Sequence, residues 1–251
     1  MIFKNKENKS STIGSSLLTI LEEFGVDIIF GIPGVHTIEI YRGLQKTSIK
    51  HITPRHEQGA GFMADGYYRV SGKPGVCLVI TGPGLTNILT AMAQARADSI
   101  PMLIISSVNP YENTDKSSGL LHELPNQQKL LKKIAISSLT VKKTKDLLPA
   151  IKKSFLKMLE ERPGPVHLEI PTNVLNYKYP KLKKNNLAIK KKKIKSSEKE
   201  LHEVANYLTF AKYPVLLLGG GARECDEYIL QIVEKLSLFV ITTINARGIL
   251  G

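Results

Sequence analysis

The sequence lacks several features that would narrow its class directly. Its 251 residues include two cysteines, Cys77 and Cys225, which lie far apart with no CxxC pair and no paired histidines nearby. This spacing argues against a zinc site and predicts buried free thiols. The N-terminus has lysines without an apolar core behind them, and the longest apolar runs have the length of strands. We therefore expect a cytoplasmic protein with no secretory signal and no membrane partner.

Short motifs of several enzyme classes are also missing. The absence of GxxxxGK[ST] excludes a P-loop nucleotide hydrolase, and the absence of GxSxG removes the nucleophile elbow of a serine hydrolase. GGGA at 219–222 follows a strand pattern, but GxGxxG is not satisfied, so tight packing of a strand on a helix is the better interpretation there. No metal site is predicted in this chain.

The net charge of +13 is concentrated in one segment. Residues 178–195 contain nine lysines and no acid, and without them the remainder carries 13 − 9 = +4. The segment has no arginine and few aromatic residues, which are the groups that read bases or stack on them. A solvated linker is therefore favoured over a nucleic-acid site.

Strand and helix patterns alternate along the chain, which predicts an α/β fold with a parallel sheet. Apolar strands are predicted at 26–30, 75–81, 101–107 and 165–171, with further strands near 49–53 and 135–142. Residues 108–124 are polar and rich in turn formers, so they are predicted to form a long loop of the kind that often carries function.

The organisation predicted from these patterns has four parts. They are an N-terminal tail (1–11), a first domain (12–176), a lysine-rich linker (177–196) and the beginning of a second α/β domain (197–251). The last part is short for an independent core, so we interpret the chain as a fragment of a longer protein.

One acidic residue stands in unusual surroundings. Glu57 is followed by the small residues Gly59, Ala60 and Gly61, whereas an ordinary surface helix surrounds its glutamates with polar residues. The turns GIPG and GPG (82–84) lead from strands into helices at the carboxyl edge of the sheet, where open α/β sheets bind ligands. Each turn alone is a weak signal. We expect the Glu57 side chain to lie beside the GPG turn.

Two histidines add candidates for acid–base chemistry. His56 precedes Glu57, although a lone histidine is more often structural. His122 and Glu123 lie in the sequence LLHELPNQ, within the polar loop, where a functional and a structural role are equally open.

Four stretches together resemble one family. They are FGIPG (30–34), RHEQGAGFMADGYYRVSGKPGV (55–76), TGPGLTN (81–87) and ADSIPMLIIS (97–106). They are similar to the N-terminal pyrimidine-binding domain of thiamine-diphosphate enzymes, in the acetolactate-synthase-like branch. ERPGPVHLEIPTNVL (161–175) resembles the end of that domain, and INARGILG (244–251) resembles the start of the family's Rossmann-like central domain.

The resemblance implies roles for particular residues. Glu57 would hydrogen-bond N1′ of the cofactor's aminopyrimidine and favour its 4′-imino form, which removes the proton from the thiazolium ring. The aminopyrimidine pocket would be lined by Pro33, Gly82, Pro83 and Asn87. His122 lies near a position where acetolactate synthases carry an active-centre glutamine, which makes it a second catalytic candidate.

One departure from the family concerns the diphosphate. The family holds the diphosphate and Mg²⁺ through a GDG…N motif in another domain, and this sequence contains no GDG. The chain would therefore supply half of a site, completed in a homodimer or homotetramer or by a separate diphosphate-domain chain. FAD is implied only if the protein is an acetolactate synthase.

The resemblance leaves three functions open. VHTIEIYRGL and LLHELPNQ look closer to 5-guanidino-2-oxopentanoate decarboxylases, which favours decarboxylation of a 2-oxo acid, and Glu123 could pair with a guanidino tail. The second function is acetolactate synthase. The third is a non-catalytic interaction subunit, against which the presence of Glu57 argues.

Overall fold

The structure is a computed structural model, and it divides the chain into two compact units, Met1–Lys191 and Lys192–Gly251. The residues that it describes are 11–113, 116–159, 162–180, 187 and 195–251. The predicted N-terminal tail and most of the predicted linker lie outside the described residues.

Strands and helices alternate in the first unit. Its strands are β1 (Ile28–Gly31), β2 (Lys50–Ile52), β3 (Gly75–Val79), β4 (Met102–Val108), β5 (Ser137–Thr140) and β6 (Pro165–Pro171). Its α-helices are α1 (Ile13–Glu23), α2 (Ile38–Tyr41), α3 (Glu57–Ser71), α4 (Pro83–Ala97), α5 (Gln127–Ile134), α6 (Leu147–Leu159) and α7 (Thr172–Leu175). The helix α5 was not predicted, although its sequence QQKLLKKI has an amphipathic pattern.

The six strands form one parallel sheet in the order β2-β1-β3-β4-β6-β5, which confirms the predicted fold class. The chain runs outward from β1 to β2 and then returns to the other side of β1 with β3. The strand order therefore reverses between β1 and β3, and such a switch point leaves a crevice at the carboxyl edge.

Both faces of the sheet are covered by helices. Along β3 the side chains alternate, so Val76 and Leu78 enter the core formed with α1 and α6, while Cys77 and Val79 enter the core formed with α3 and α4. Parallel strands that are buried on both faces read as continuous apolar runs, which explains the VCLV pattern in the sequence.

The second unit is smaller. It contains α8 (Glu198–Phe210), β7 (Val215–Leu218), α9 (Asp226–Leu236) and β8 (Phe239–Thr242), with β7 and β8 paired in parallel. Its buried cluster is Leu218, Ile229, Ala246 and Ile249. No helix in the described part of the chain is long and apolar enough to span a membrane.

The two cysteines differ from each other in exposure. Cys77 is buried in β3, as expected, but Cys225 is exposed, so the prediction of two buried thiols is wrong for Cys225. Cys225 lies directly before α9, in a unit whose small core covers few of its residues.

A fully buried histidine, His167, lies in β6 between the neighbouring strands β4 and β5. His167 of β6 lies between the hydroxyls of Ser106 and Ser138, at 2.7 Å from Nε2 and 2.8 Å from Nδ1. Burial lowers the pKa of His167 to about 3. The imidazole is therefore neutral in the folded protein at every pH at which the protein is normally handled.

The depressed pKa predicts that acid destabilises the fold through His167. Below about pH 6.5 the unfolded chain binds a proton at this residue, while the folded chain does not until about pH 3. The contribution is present above pH 6.5 and is lost as the pH falls toward 3. Between pH 7 and pH 5 we expect the free energy of unfolding to fall by about 2 kcal/mol through this residue. Urea titrations of the wild type and His167→Gln at both pH values measure it, and equal losses in the two proteins would contradict it.

Candidate functional site

The loops after β1 and β3 meet at the switch point of the sheet. The side chain of Ile80 lies between them, since a Cβ added to Gly34 would be 2.6 Å from Ile80 Cγ2 and one added to Gly84 would be 2.6 Å from Ile80 Cγ1. A side chain at Gly34 or Gly84 would therefore have to displace the side chain of Ile80. Pro33 and Pro83 are exposed beside this contact, at the same edge.

Glu57 is the first residue of α3 and points at the second of these turns. The Asn87 side-chain amide donates a hydrogen bond to Glu57 Oε2 at 2.9 Å. A Cβ on Gly84 would lie 3.3 Å from Glu57 Oε1. The carboxylate thus lies beside the Gly82–Gly84 turn, as expected from the sequence, with one oxygen held by Asn87 and the other next to the open side of a glycine.

The neighbouring histidine has a structural role. His56 is the N-cap of α3, and its Nδ1 accepts a hydrogen bond from the backbone N–H of Gln58 at 3.1 Å. This bond satisfies one of the free amides at the start of the helix. The geometry supports the structural alternative for His56.

The small residues after Glu57 allow α3 to approach α4 closely. A Cβ on Gly61 would be 2.4 Å from the Cβ of Ala91 and 3.0 Å from Ile88 Cγ1. A larger residue would push the two helices apart and move Glu57 away from Asn87. The glycine-rich start of α3 therefore positions Glu57 as well as leaving room beside it.

His122 packs its backbone, not its ring, on the glycine turn. Gly82 has a positive φ of 61°, and a Cβ there would lie 2.3 Å from the His122 carbonyl oxygen. His122 itself has a φ of 56° and is exposed. The contact places the loop that carries His122 over the turn that neighbours Glu57.

Glu123 stabilises the same loop. Its carboxylate accepts hydrogen bonds from the backbone N–H groups of Ser118 and Leu120, both at 3.1 Å. These two bonds hold the carboxylate in a fixed orientation. They leave further lone pairs for a ligand, because an ionised carboxylate can accept about four hydrogen bonds.

A buried polar network holds the Gly82 turn through hydrogen bonds to Thr81 and to the Gly82 amide. Gln127 Oε1 accepts hydrogen bonds from Thr81 Oγ1 at 2.7 Å and from the Gly82 N–H at 3.3 Å. Its Nε2 donates to Glu169 Oε2 at 2.8 Å and to the Ser107 carbonyl at 3.1 Å. Sequence reasoning missed the contacts of Gln127 with Thr81, Gly82 and Glu169, because each partner lies more than 40 positions away in the chain.

The described residues contain no group of three or more His, Cys, Asp or Glu side chains that could hold a metal ion. The residues that the sequence nominated nevertheless come together at one edge. The turn after β3 contains Gly82 and Pro83 and lies beside Glu57 and Asn87. Pro33 lies on the adjoining loop after β1.

Comparison with known proteins shows that the part of the chain containing this edge is similar to one family. Residues 11–130 match the family described as "Thiamine pyrophosphate enzyme, N-terminal TPP binding domain". A probable 2-ketoarginine decarboxylase of Pseudomonas aeruginosa is 42% identical over 249 residues, which are 99% of this chain and 44% of that protein.

Acetolactate synthases are similar at lower identity. The large subunit of acetolactate synthase isozyme 1 of Escherichia coli is 34% identical over 96% of this chain and 43% of its own length. A probable acetolactate synthase large subunit of Methanocaldococcus jannaschii is 32% identical over 93% of this chain and 40% of its own length. The chain thus spans less than half the length of these relatives.

The network predicts that Gln127 is important for stability. Gln127→Leu would leave Thr81 and the Gly82 amide without their buried partner and would remove one hydrogen bond from Glu169. We therefore expect a loss of about 2–4 kcal/mol in the free energy of unfolding. Gln128→Leu is the matched control, since Gln128 is half-buried and bonds to Thr140 Oγ1 at 2.8 Å. That change should cost about 1 kcal/mol. Equal losses in the free energy of unfolding, measured by urea titration, would show that Gln127 contributes no more to stability than the half-buried Gln128.

Proposed function

Because this chain belongs to the thiamine pyrophosphate enzyme family, we propose that it forms the aminopyrimidine half of a thiamine diphosphate site in a 2-oxo-acid decarboxylase. The observation that carries the proposal is the Glu57 carboxylate, which Asn87 holds against the glycine turn at the switch point of the sheet. The substrate class comes from the similarity to the probable 2-ketoarginine decarboxylase.

The described residues fit the aminopyrimidine ring. A flat heterocycle needs backbone close by and no side chain in the way, and Gly82 and Gly84 provide this beside Glu57. No residue of the described chain donates a hydrogen bond to Glu57 Oε1, which leaves that oxygen for a ring nitrogen. Pro33, Pro83 and Asn87 would complete the lining.

Glu57 would share a proton with the ring nitrogen N1′. A carboxylate suits this task because it can carry the proton or give it up, whereas an amide cannot. Asn87 would keep the carboxylate in the orientation that the ring requires, through its bond to Oε2. When thiamine diphosphate is bound, it supplies the electron sink for cleavage of the bond between the carbonyl and carboxylate carbons.

The remaining parts of the site would come from elsewhere. The diphosphate and Mg²⁺ would be held by a GDG…N segment, which these 251 residues do not contain. We propose that the site is completed in a homodimer or homotetramer, or by a separate chain. The protein would act in the cytoplasm, and FAD would be present only in an acetolactate synthase.

The substrate would be the guanidino 2-oxo acid, 5-guanidino-2-oxopentanoate, which is another name for 2-ketoarginine. Its cationic end needs a carboxylate, and Glu123 remains the candidate because two backbone amides fix its orientation without using all its lone pairs. His122, on the same loop, would act on the reacting end of the substrate.

Acetolactate synthesis is the second candidate function, favoured by the 34% identity to the E. coli large subunit. A non-catalytic interaction subunit is the third. The Glu57–Asn87 pair weighs against it, because a protein that only binds partners has no need to hold a carboxylate beside an open turn.

Glu57→Gln tests the cofactor assignment in the complete protein loaded with thiamine diphosphate and Mg²⁺. Glutamine keeps a hydrogen bond but cannot share the proton, so hydrogen–deuterium exchange at the cofactor C2 position should slow by about 100-fold or more. Glu112→Gln is the control, because Glu112 lies at the same end of the sheet and pairs with Asn173. Exchange at the wild-type rate in Glu57→Gln would remove this residue from the mechanism.

Turnover of two substrates tests the reaction. We expect the complete protein to release CO₂ from 5-guanidino-2-oxopentanoate, and Glu123→Gln to raise KM for this substrate more than for an uncharged 2-oxo acid of the same length. Acetolactate formation from pyruvate, with no turnover of the guanidino acid, would instead support the acetolactate synthase alternative.

A further inference from the structure

A buried histidine lies on the β1 side of the candidate site. His36 follows the GIPG turn, and only 9% of its surface is exposed. Its Nδ1 atom is buried and has no hydrogen-bond partner within the described residues. Buried polar atoms of this kind are rare and call for an explanation, such as a catalytic role or a bound water.

The ring of His36 faces the ring of His122. Their centroids are 5.8 Å apart, and their planes are inclined by 40°. Asn109, directly after β4, joins the same group, because its Nδ2 donates to the Leu121 carbonyl at 3.4 Å. His36, in the segment after β1, and Asn109, directly after β4, thus both contact the loop that covers the Gly82 turn.

The surroundings keep His36 neutral. Burial lowers its pKa most, and the nearby His122 lowers it further. Asn109 and the Leu121 carbonyl oppose this shift without cancelling it. Among the described residues, His122 is the titratable group that acts on His36, so the two imidazoles disfavour a state in which both carry a proton.

Decarboxylation of a 2-oxo acid requires one proton at the substrate carbon. When a 2-oxo acid loses CO₂, the bond between the carbonyl and carboxylate carbons breaks and its electron pair remains on the carbonyl carbon. One proton then forms the new C–H bond of the aldehyde. The reaction therefore consumes one proton for each CO₂ released.

We propose that His36 is a positioning residue for His122, and that the two imidazoles form an electrostatically coupled pair beside the Gly82 turn. The proton would pass from His122 to the substrate carbon, and His122 would regain it from solvent. His36 would hold the ring of His122 from its buried side. This inference rests on the proposed function for its substrate, but the pair itself does not.

Proton NMR titration of the imidazole signals in this 251-residue chain tests the pair directly. Removing the charge of His122 makes protonation of His36 easier, so His122→Asn should raise the His36 midpoint by about half a pH unit or more. Asparagine also tolerates the positive φ at this position, which preserves the loop. The exposed His202 of α8 serves as the internal reference. An unchanged His36 midpoint would overturn the pair, whatever reaction the protein catalyses.

Kinetics of the complete protein test the positioning role. His36→Phe keeps a ring against His122 but removes both nitrogens, so we expect a kcat lowered about 10-fold or more, little change in KM and a shifted pH profile of kcat. Unchanged kcat and pH profile would contradict the role of His36. If wild-type protein turns over no 2-oxo acid, the proposed function fails while the NMR result still decides the pair.

Discussion

The close packing of α3 on α4 determines where the candidate site can be. Gly61 lies against Ala91 and Ile88 with no room for a side chain, and four residues earlier in the sequence Glu57 reaches Asn87. A separation of the helices by the thickness of one methyl group would break this hydrogen bond. The carboxylate is thus oriented by two rigid helices, which hold a functional group more precisely than loops do.

The conformation of the Gly82 turn depends on a second constraint, which is a set of buried hydrogen bonds. Thr81, the Gly82 amide, Gln127 and Glu169 are removed from water and must satisfy one another. A buried network of this kind is costly if one member is lost, but it fixes a single arrangement when complete. The turn beside Glu57 therefore has one conformation, set by strands β4 and β6 as well as by its own glycines.

Much of this architecture is visible in the sequence, and the reason is local. Continuous apolar runs marked β3, β4 and β6, and the small residues after Glu57 marked a helix that approaches another element. The roles of Gln127 and His36 were missed for the opposite reason. Gln127 is 45 positions from Gly82, and His122 is 86 positions from His36, so only the folded chain shows these contacts. Cys225 was misjudged because burial depends on how large a core its unit builds.

The loop segment that carries His122 has defined backbone contacts, although it is exposed. Ser117, His122 and Asn126 all have positive φ, a conformation that non-glycine residues adopt only where their surroundings stabilise it. The stabilising contacts are the two backbone bonds to Glu123 and the packing of the His122 carbonyl on Gly82. The geometry therefore fits a histidine held ready at the site better than one that arrives with the substrate.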